Sequence, residues 1–279
     1  MANVIEIENL HYTYRDGTKA LDGLNLTIED GARVALLGPN GAGKSTLLLH
    51  LNGIYQAQQG KVKVQGQELT SRNQQWVRGV VGLVFQDPDD QVFSATVWED
   101  VAFGPTNLRL SKDEIASRVE GALAAVRMAK YRDKAPYHLS YGQKKRVAIA
   151  GVLAMNPRVI ILDEPAAYLD PCGKDILMDI LSRLNQNGAT VVIATHDVDL
   201  AAEWAEQVLV IKDGRTLAQG GTSLLADEHL VREAELRFPV VAQIFRNLPE
   251  LQPDPLPIKI TDAVSQIRNS LRIKDTAGR

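Results

Sequence analysis

Gly38-Pro39-Asn40-Gly41-Ala42-Gly43-Lys44-Ser45-Thr46 is a glycine-rich turn ending in lysine and two hydroxyl residues, and its flanks decide what it is for. Arg33 to Leu37 before it is an apolar run of strand character, and Thr46 to Leu51 after it reads as a helix. A strand, a glycine loop and a helix start, in that order, form a phosphate-binding loop. Glycines let main-chain N–H groups turn inward around phosphate oxygens, and the helix N-terminus adds partial positive charge. Lys44 supplies a point charge for the β and γ phosphates, and Ser45 a hydroxyl for Mg²⁺. The competing reading, a strand-to-helix turn with no ligand, is disfavoured by the residues on both sides.

A second apolar strand, Val159 to Leu162, ends in Asp163-Glu164. Four apolar residues drive this strand into a sheet core, so both acids emerge at its C-terminal edge, where open α/β sheets bind ligands. Asp163 is placed to position Mg²⁺ through its water shell; the alternative is a solvated strand end. Around these strands the chain divides by pattern. Val4 to Leu10 and Leu24 to Ile28 alternate apolar and polar residues, Lys61 to Val64 and Gln67 to Leu69 flank a tight turn at Gln65-Gly66, and Gly79 to Phe85 reads as another strand. From Val97 to Met155 the spacing is helical, with Ser111 opening a helix through Ile115, Val119, Leu123 and Val126. Helix Asp175 to Asn187, strand Thr190 to Thr195, helix Val198 to Ala205 and strand Val208 to Ile211 then alternate, which argues for a parallel sheet covered by helices. A hairpin pivots at Lys212-Asp213-Gly214-Arg215.

The fold class is therefore α/β, a phosphate-loop nucleotide-binding fold with a mostly parallel sheet core, an N-terminal antiparallel β part and an inserted helical part at about 97–155. The main domain is read as residues 1–220 and a C-terminal extension as 221–279, with a proline-rich connector over 249–257, a short amphipathic helix Ile260 to Leu271, and a frayed end from Lys274 to Arg279.

The 279 residues are 45% hydrophobic and 23% charged, enough for one large globular domain with an appendage. A net charge of −3 gives no general attraction to nucleic acid. Cys172 is the only cysteine, so no internal disulfide forms, in keeping with a reducing cytosol. The N-terminus lacks the pattern of a signal peptide. No segment reaches the roughly 18 apolar residues of a membrane span, so any membrane role has to come through a partner. His11, His50, His138 and His229 show no metal-ligand spacing and read as ordinary histidines.

Leu139-Ser140-Tyr141-Gly142-Gln143, followed by Lys144-Lys145-Arg146 and an apolar helix, narrows the class further. Standing ahead of the acidic strand end, this pentapeptide resembles the signature of ATP-binding cassette proteins, and the likeness extends over about residues 4–220. Tyr141 stands where that family usually has glycine. The resemblance implies ATP and Mg²⁺ as ligands and a site completed in trans, in which Leu139 to Gln143 of one subunit close over nucleotide held by Gly38 to Thr46 of another. It makes Glu164 the carboxylate that orients and deprotonates the attacking water. It makes His196 a switch histidine for the γ phosphate and Gln86 a neutral amide reaching Mg²⁺ and the lytic water. The Mg²⁺ set is then Ser45, Gln86 and Asp163. Tyr14 resembles the aromatic that stacks on adenine, with Tyr12 as runner-up. Ala167-Tyr168-Leu169-Asp170 resembles a loop across the dimer interface, with Asp170 its key residue. Lys144, Lys145 and Arg146 read as solvated or partner-facing rather than as a nucleic-acid patch.

Phe85-Gln86-Asp87-Pro88-Asp89-Asp90-Gln91-Val92-Phe93, with Asp100 to Gly104 and Lys144 to Gly151, is similar to the ATPases of energy-coupling-factor importers. In that family a second glutamine, here Gln91, belongs to an extra helix that contacts the membrane partner. The resemblance implies an ATP-hydrolysing subunit at the cytoplasmic face of the cell membrane, most like the cobalt-type version working as a homodimer. Its partners are a transmembrane coupling subunit and a substrate-binding membrane subunit. Nickel, biotin or another vitamin are the alternative cargoes. A soluble cassette ATPase without a transport role, or a nonhydrolysing regulatory subunit, are the alternative classes.

Overall fold

The structure, a computed structural model, describes residues 2–248, 251 and 255–277, with side chains to residue 271. Strands β3 (Arg33–Leu37), β7 (Val159–Asp163) and β8 (Thr190–Thr195) are almost wholly apolar and buried, as strands covered on both faces must be. β8 lies between β3 and β7 and pairs in parallel with each. β6 (Val81–Val84) extends the parallel sheet beyond β7, and β9 (Gln207–Lys212) extends it beyond β3. β10 (Arg215–Gly221) closes the edge antiparallel to β9. Asp213 and Gly214 between them both take positive φ, 48° and 72°, which the hand of a two-residue hairpin turn requires. The strand order is β10-β9-β3-β8-β7-β6.

Alternation along these strands feeds two cores. Val34, Leu36, Ile161, Val192 and Leu209 face one; Ala35, Leu37, Ile160, Leu162, Val191 and Ile193 face the other. A register slip of one residue would exchange the sets. The first core is roofed by an antiparallel sheet of β1 (Asn3–Thr13), β2 (Lys19–Glu29), β4 (Gln59–Val64) and β5 (Gln67–Glu68), ordered β2-β1-β4-β5. Helix α1 (Lys44–Leu51) is wedged into the same core through Leu47, Leu48 and Leu51. The second core takes α3 (Val97–Asn107), α4 (Lys112–Ala125), α5 (Tyr141–Leu153), α6 (Pro171–Gln186) and α7 (Val198–Trp204). Capping fixes where α3, α4 and α5 begin: Thr96 pairs with Glu99 and Ser140 with Gln143 in capping boxes, and Ser111 caps α4.

Several boundaries differ from the sequence reading. Gly79 and Val80 end a helix, α2 (Gln74–Val80), and β6 starts only at Val81. Four residues suffice to span its partner β7, while the helical turn before it sends Val77 into the core. α6 begins at Pro171 rather than Asp175, because the Asp170 carboxylate accepts from the Gly173 N–H at 2.6 Å and Pro171 suits a first helical position. β2 and β3, joined by a tight turn, belong to different sheets. After β10 come α8 (Glu228–Glu233), α9 (Val240–Arg246) and α10 (Ile260–Ala277), the last continuing over residues 274–277 that were expected to fray. Pro249 and Pro253 of the expected connector, and residues 278–279, lie outside the described residues. Among the described residues no helix is long and apolar enough to cross a membrane.

His50 on α1 is buried against Tyr12 and Tyr55, its Nδ1 donating to the Thr46 carbonyl at 2.8 Å and its Nε2 without a partner. Burial holds its pKa below the ordinary 6.5, against the smaller opposing effect of that hydrogen bond. The folded state therefore holds fewer protons than the unfolded one once pH drops below about 6.5, and stability falls there. In the nucleotide-free chain the melting temperature should drop between about pH 6.5 and 5, and His50→Gln should flatten that part of the curve. Calorimetry in pH steps checks this; parallel profiles would show that His50 takes up its proton as readily in the folded chain as in the unfolded one.

Candidate functional site

The loop between β3 and α1 is shaped by close approaches. Gly43, at φ +99°, is the residue before α1, and a Cβ there would stand 2.6 Å from the Ala20 carbonyl oxygen. No side chain caps α1, so its first N–H groups are left for an external acceptor. Lys44 is buried in the loop and donates to the Gly38 carbonyl at 2.7 Å and the Pro39 carbonyl at 3.0 Å. Burial lowers its pKa, and the nearby Glu164 and Asp163 carboxylates oppose that shift. An ammonium held by two carbonyls, with acids close by, is a positioned positive charge suited to phosphate.

A cleft of about 650 Å³ opens over this loop and gathers most of the expected residues: Tyr14, Asn40, Gly41, Gly43, Lys44, Ser45, Thr46, Gln86, Asp163, Glu164 and His196 line it. Gly38, Pro39 and Ala42 stand behind it as framework. Asp163 ends β7 beside Ala194 of β8, and Glu164 follows with φ +41°, a conformation costing a non-glycine residue roughly 1–3 kcal/mol. Its N–H donates to the Ala194 carbonyl at 2.9 Å. One carboxylate oxygen accepts from the Thr195 hydroxyl at 3.1 Å and the other lies 2.8 Å from His196 Nδ1. A carboxylate fixed at both oxygens and open to the cleft is equipped to orient a water and take its proton. Burial raises the pKa of Asp163; the Ser45 hydroxyl lowers it, Glu164 raises it further, and Lys44 and Lys145 oppose.

Tyr14 edges the cleft, its hydroxyl 2.8 Å from the Thr46 hydroxyl. Tyr12 is turned away, stacked on Tyr55 with ring centres 5.0 Å apart and meeting Tyr14 edge-on. Of the two tyrosines, only Tyr14 lines the cleft.

The signature stands apart. Ser140 to Gln143 line a second cleft of about 400 Å³ with Tyr168, Leu169 and Asp170, and no residue of Ser140 to Gln143 lines the phosphate-loop cleft of the same chain. Leu139 is buried as an anchor behind them. Tyr168, 81% exposed and at φ +61°, borders both clefts and meets Tyr141 edge to face at 5.9 Å.

The basic run is not a solvated face. Lys145 is wholly buried, donating to the Gln86 carbonyl, and its pKa is lowered to about 8 by desolvation against the pull of Asp87, Asp163 and Glu164. Burying an ammonium costs several kcal/mol unless it is well partnered, so this contact belongs to the architecture. Lys144 pairs with Asp89 at 2.5 Å and Arg146 folds back on the Gly142 and Val126 carbonyls. Thr195 thus touches the Glu164 carboxylate without having been singled out in the sequence, and Lys145, read there as solvated or partner-facing, is instead buried against Gln86. Thr195 could have been found as the last strand residue beside His196; nothing in a run of three basic residues marks the middle one as buried.

Gln91 ends a single 3-10 turn, Pro88–Asp90, and its amide faces inward, accepting from the Phe85 N–H at 3.1 Å and donating to the Leu83 carbonyl at 3.2 Å. Its chain neighbours open onto a groove of about 890 Å³ between β6, α3 and α5, where Phe93 and Phe103 are 66% and 52% exposed.

The family model described as ABC transporter matches residues 21–167. The chain is 53% identical over 243 residues to the energy-coupling factor transporter ATP-binding protein EcfA of Carboxydothermus hydrogenoformans, covering 87% of this chain and 90% of that one. Among solved structures, cbiO1 from Clostridium perfringens, part of the ABC transporter complex cbiONQ, superposes with a TM-score of 0.76 at 42% identity over 88% of this chain and 100% of that one. The ATP-binding cassette MJ0796, a dimer in a post-hydrolysis state bound to ADP and Pi, superposes with a TM-score of 0.71 at 30% identity over 78% and 98%.

The loop geometry sets a test of its own. Gly43→Ala should destabilise the chain by about 2 kcal/mol, since both its φ and the Ala20 carbonyl oppose a side chain, and it should weaken nucleotide binding at least tenfold. Denaturant unfolding and fluorescent-nucleotide titration read the two effects; a variant of unchanged stability would show that the loop relaxes freely.

Proposed function

The chain belongs to the ABC transporter family as an ATPase subunit of the energy-coupling factor type, and from that premise we propose that two copies of it bind and hydrolyse ATP between them to drive an importer of cobalt ion. The observation that carries the two-copy reading is the separation of the clefts: Ser140 and Gly142 lie on a different surface from Lys44, so their amides and hydroxyl meet a phosphate only on a second chain. The dimeric relative with ADP and Pi supports it. In this reading residues 1–220 form the nucleotide-binding domain and 221–279 an extension that helps hold the pair. The exposed Ile260, Val264, Ile267 and Leu271, on one face of α10, support that use.

Each residue then has a task. Tyr14 stacks on adenine while its hydroxyl braces Thr46; the loop amides and Lys44 hold the phosphates; Asp170 orders the crossing loop by capping α6. Ser45, Asp163 and Gln86 offer oxygen donors in one cleft, the set a hard cation such as Mg²⁺ takes, and Asp163, made less acidic by burial, gains a charge partner there. Bound Mg²⁺ neutralises charge on the phosphate oxygens. Glu164 takes the proton of the attacking water, Thr195 and His196 keep its carboxylate aimed, and His196 is exposed enough to turn toward the γ phosphate.

The groove carrying Phe93 and Phe103 supports docking of a helix from a transmembrane coupling subunit, which in turn works with a substrate-binding membrane subunit. The chain then sits at the cytoplasmic face of the cell membrane without entering it. Cobalt as cargo rests on the overall resemblance to the cobalt-type version of these importer ATPases, while the loop from Phe85 to Phe93 supports the importer type alone.

Glu164→Gln should cut phosphate release about 10²-fold or more, the scale of losing a general base, while ATP still binds and an ATP-dependent dimer accumulates in light scattering. Near-normal release would remove Glu164 from this role, and failure to dimerise with ATP would remove the composite site. Deleting the gene should abolish high-affinity uptake of labelled cobalt, restored by the intact chain but not by Glu164→Gln. Loss of nickel or vitamin uptake instead would reassign the cargo.

A further inference from the structure

Consecutive turns of α5 converge on the loop that leaves β6. The Tyr141 hydroxyl donates to the Gln86 main-chain carbonyl at 3.1 Å, and the Lys145 ammonium donates to the same carbonyl while standing 3.5 Å from that of Phe85. Lys144 pairs with Asp89 in the same loop. Tyr141 and Lys145 are one helical turn apart and face the same way, and together they occupy both lone pairs of one carbonyl oxygen. The Lys145 ammonium also lies 5.8 Å from the Tyr141 ring centre. Burial and the nearby Asp87, Tyr168 and Asp89 raise the Tyr141 pKa, so its hydroxyl remains a donor at neutral pH. At the far end Gln91 ties the loop back to Leu83 and Phe85.

We propose that Tyr141 and Lys145 are positioning residues that tether the main chain of Gln86 to the signature helix, so that the Gln86 amide enters or leaves the phosphate-loop cleft together with the signature turn. Gln86 is otherwise an exposed loop residue two positions beyond a four-residue strand, with Asp87 and Pro88 following. Packing against Tyr168 would ask only for the Tyr141 ring; the hydroxyl serves Gln86. A glycine at 141 would leave Lys145 alone on that carbonyl, so the tether belongs to this version of the pentapeptide. The same loop runs on into the groove with Phe93 and Phe103, so a displacement imposed there reaches Ser140 to Gln143 through Gln86 and Asp89. This inference rests on the role given to Gln86 above.

The test uses the purified full-length chain in two arms. In the first, amide hydrogen exchange is followed over residues 85–91 in Tyr141→Phe: faster exchange there at an unchanged melting temperature is expected, and unchanged exchange overturns the tether. In the second, ATP turnover is measured for Tyr141→Phe, Lys145→Met and the pair, each with Gln86 or Gln86→Ala. Tyr141→Phe should lower kcat about three- to tenfold, the scale of one hydrogen bond, with KM for ATP within about twofold. The double variant should lose more than the product of the singles, because either donor alone still satisfies the shared acceptor and only the pair leaves it bare. In the Gln86→Ala background the Tyr141→Phe effect should vanish; an equal loss in both backgrounds would show that Tyr141 acts elsewhere and would overturn the proposal. Should Gln86→Ala alone leave kcat unchanged, the role of Gln86 fails, and the exchange arm still decides whether the tether exists. If Lys145→Met does not fold, Tyr141→Phe carries both arms.

Discussion

The parallel register that sets Leu37 beside Thr195 and Asp163 beside Ala194 is the constraint from which the site follows. Three strands end at one sheet edge, and each hands over a different chemistry: β3 a turn of main-chain amides with Lys44, β7 two carboxylates, β8 a hydroxyl and an imidazole. None of these groups is near another in sequence. What brings them together is apolar burial a few residues upstream, where Val34 and Leu36 go to one core and Ala35 and Leu37 to the other. Sliding one strand would both expose its apolar set and move its functional end by more than 3 Å. Packing and placement are therefore enforced by the same contacts.

Against that rigid edge the chain keeps several charges in unfavourable places. Lys44 and Lys145 are buried with lowered pKa values, Asp163 is half-buried with a raised one, and Glu164 is bent into a left-handed conformation. The acids and ammonium groups partly offset one another across the cleft, which keeps the nucleotide-free fold tolerable. A nucleotide with its cation would offer Lys44 a phosphate and Asp163 a positive charge, so binding should relieve what folding leaves strained.

Much of this was legible in the sequence because it was carried by local rules. The phosphate loop, the acidic strand end, the capping serines and the turn at Asp213-Gly214 each state their geometry within a few residues. The likeness of the signature and of the loop after β6 supplied the family. Less legible were features set by partners distant in the chain. The start of β6 depends on β7, and α2 gains its place by burying Val77. Lys145 in a basic run looks solvated until α5 is laid against the Phe85-Gln86 main chain. Gln91 looks outward-facing until its amide is seen completing the end of β6.

The two clefts are carried by two parts of the molecule. Lys44, Asp163, Glu164 and His196 belong to the sheet edge, which is locked by core packing on both faces. Ser140 to Gln143 belong to α5, which packs with α3 and α4 beyond β6. Besides the core that α5 shares with the sheet, the loop from Phe85 to Val92 joins the two parts at the surface: it starts at the sheet edge, exposes Gln86 to the phosphate-loop cleft, and is bonded along its length to α5. Tyr168 marks the same junction from the other side, bordering both clefts on a strained, exposed turn. A displacement of the loop from Phe85 to Val92 would therefore reach both clefts at once, Gln86 on one side and the signature turn, through Tyr141 and Lys144, on the other.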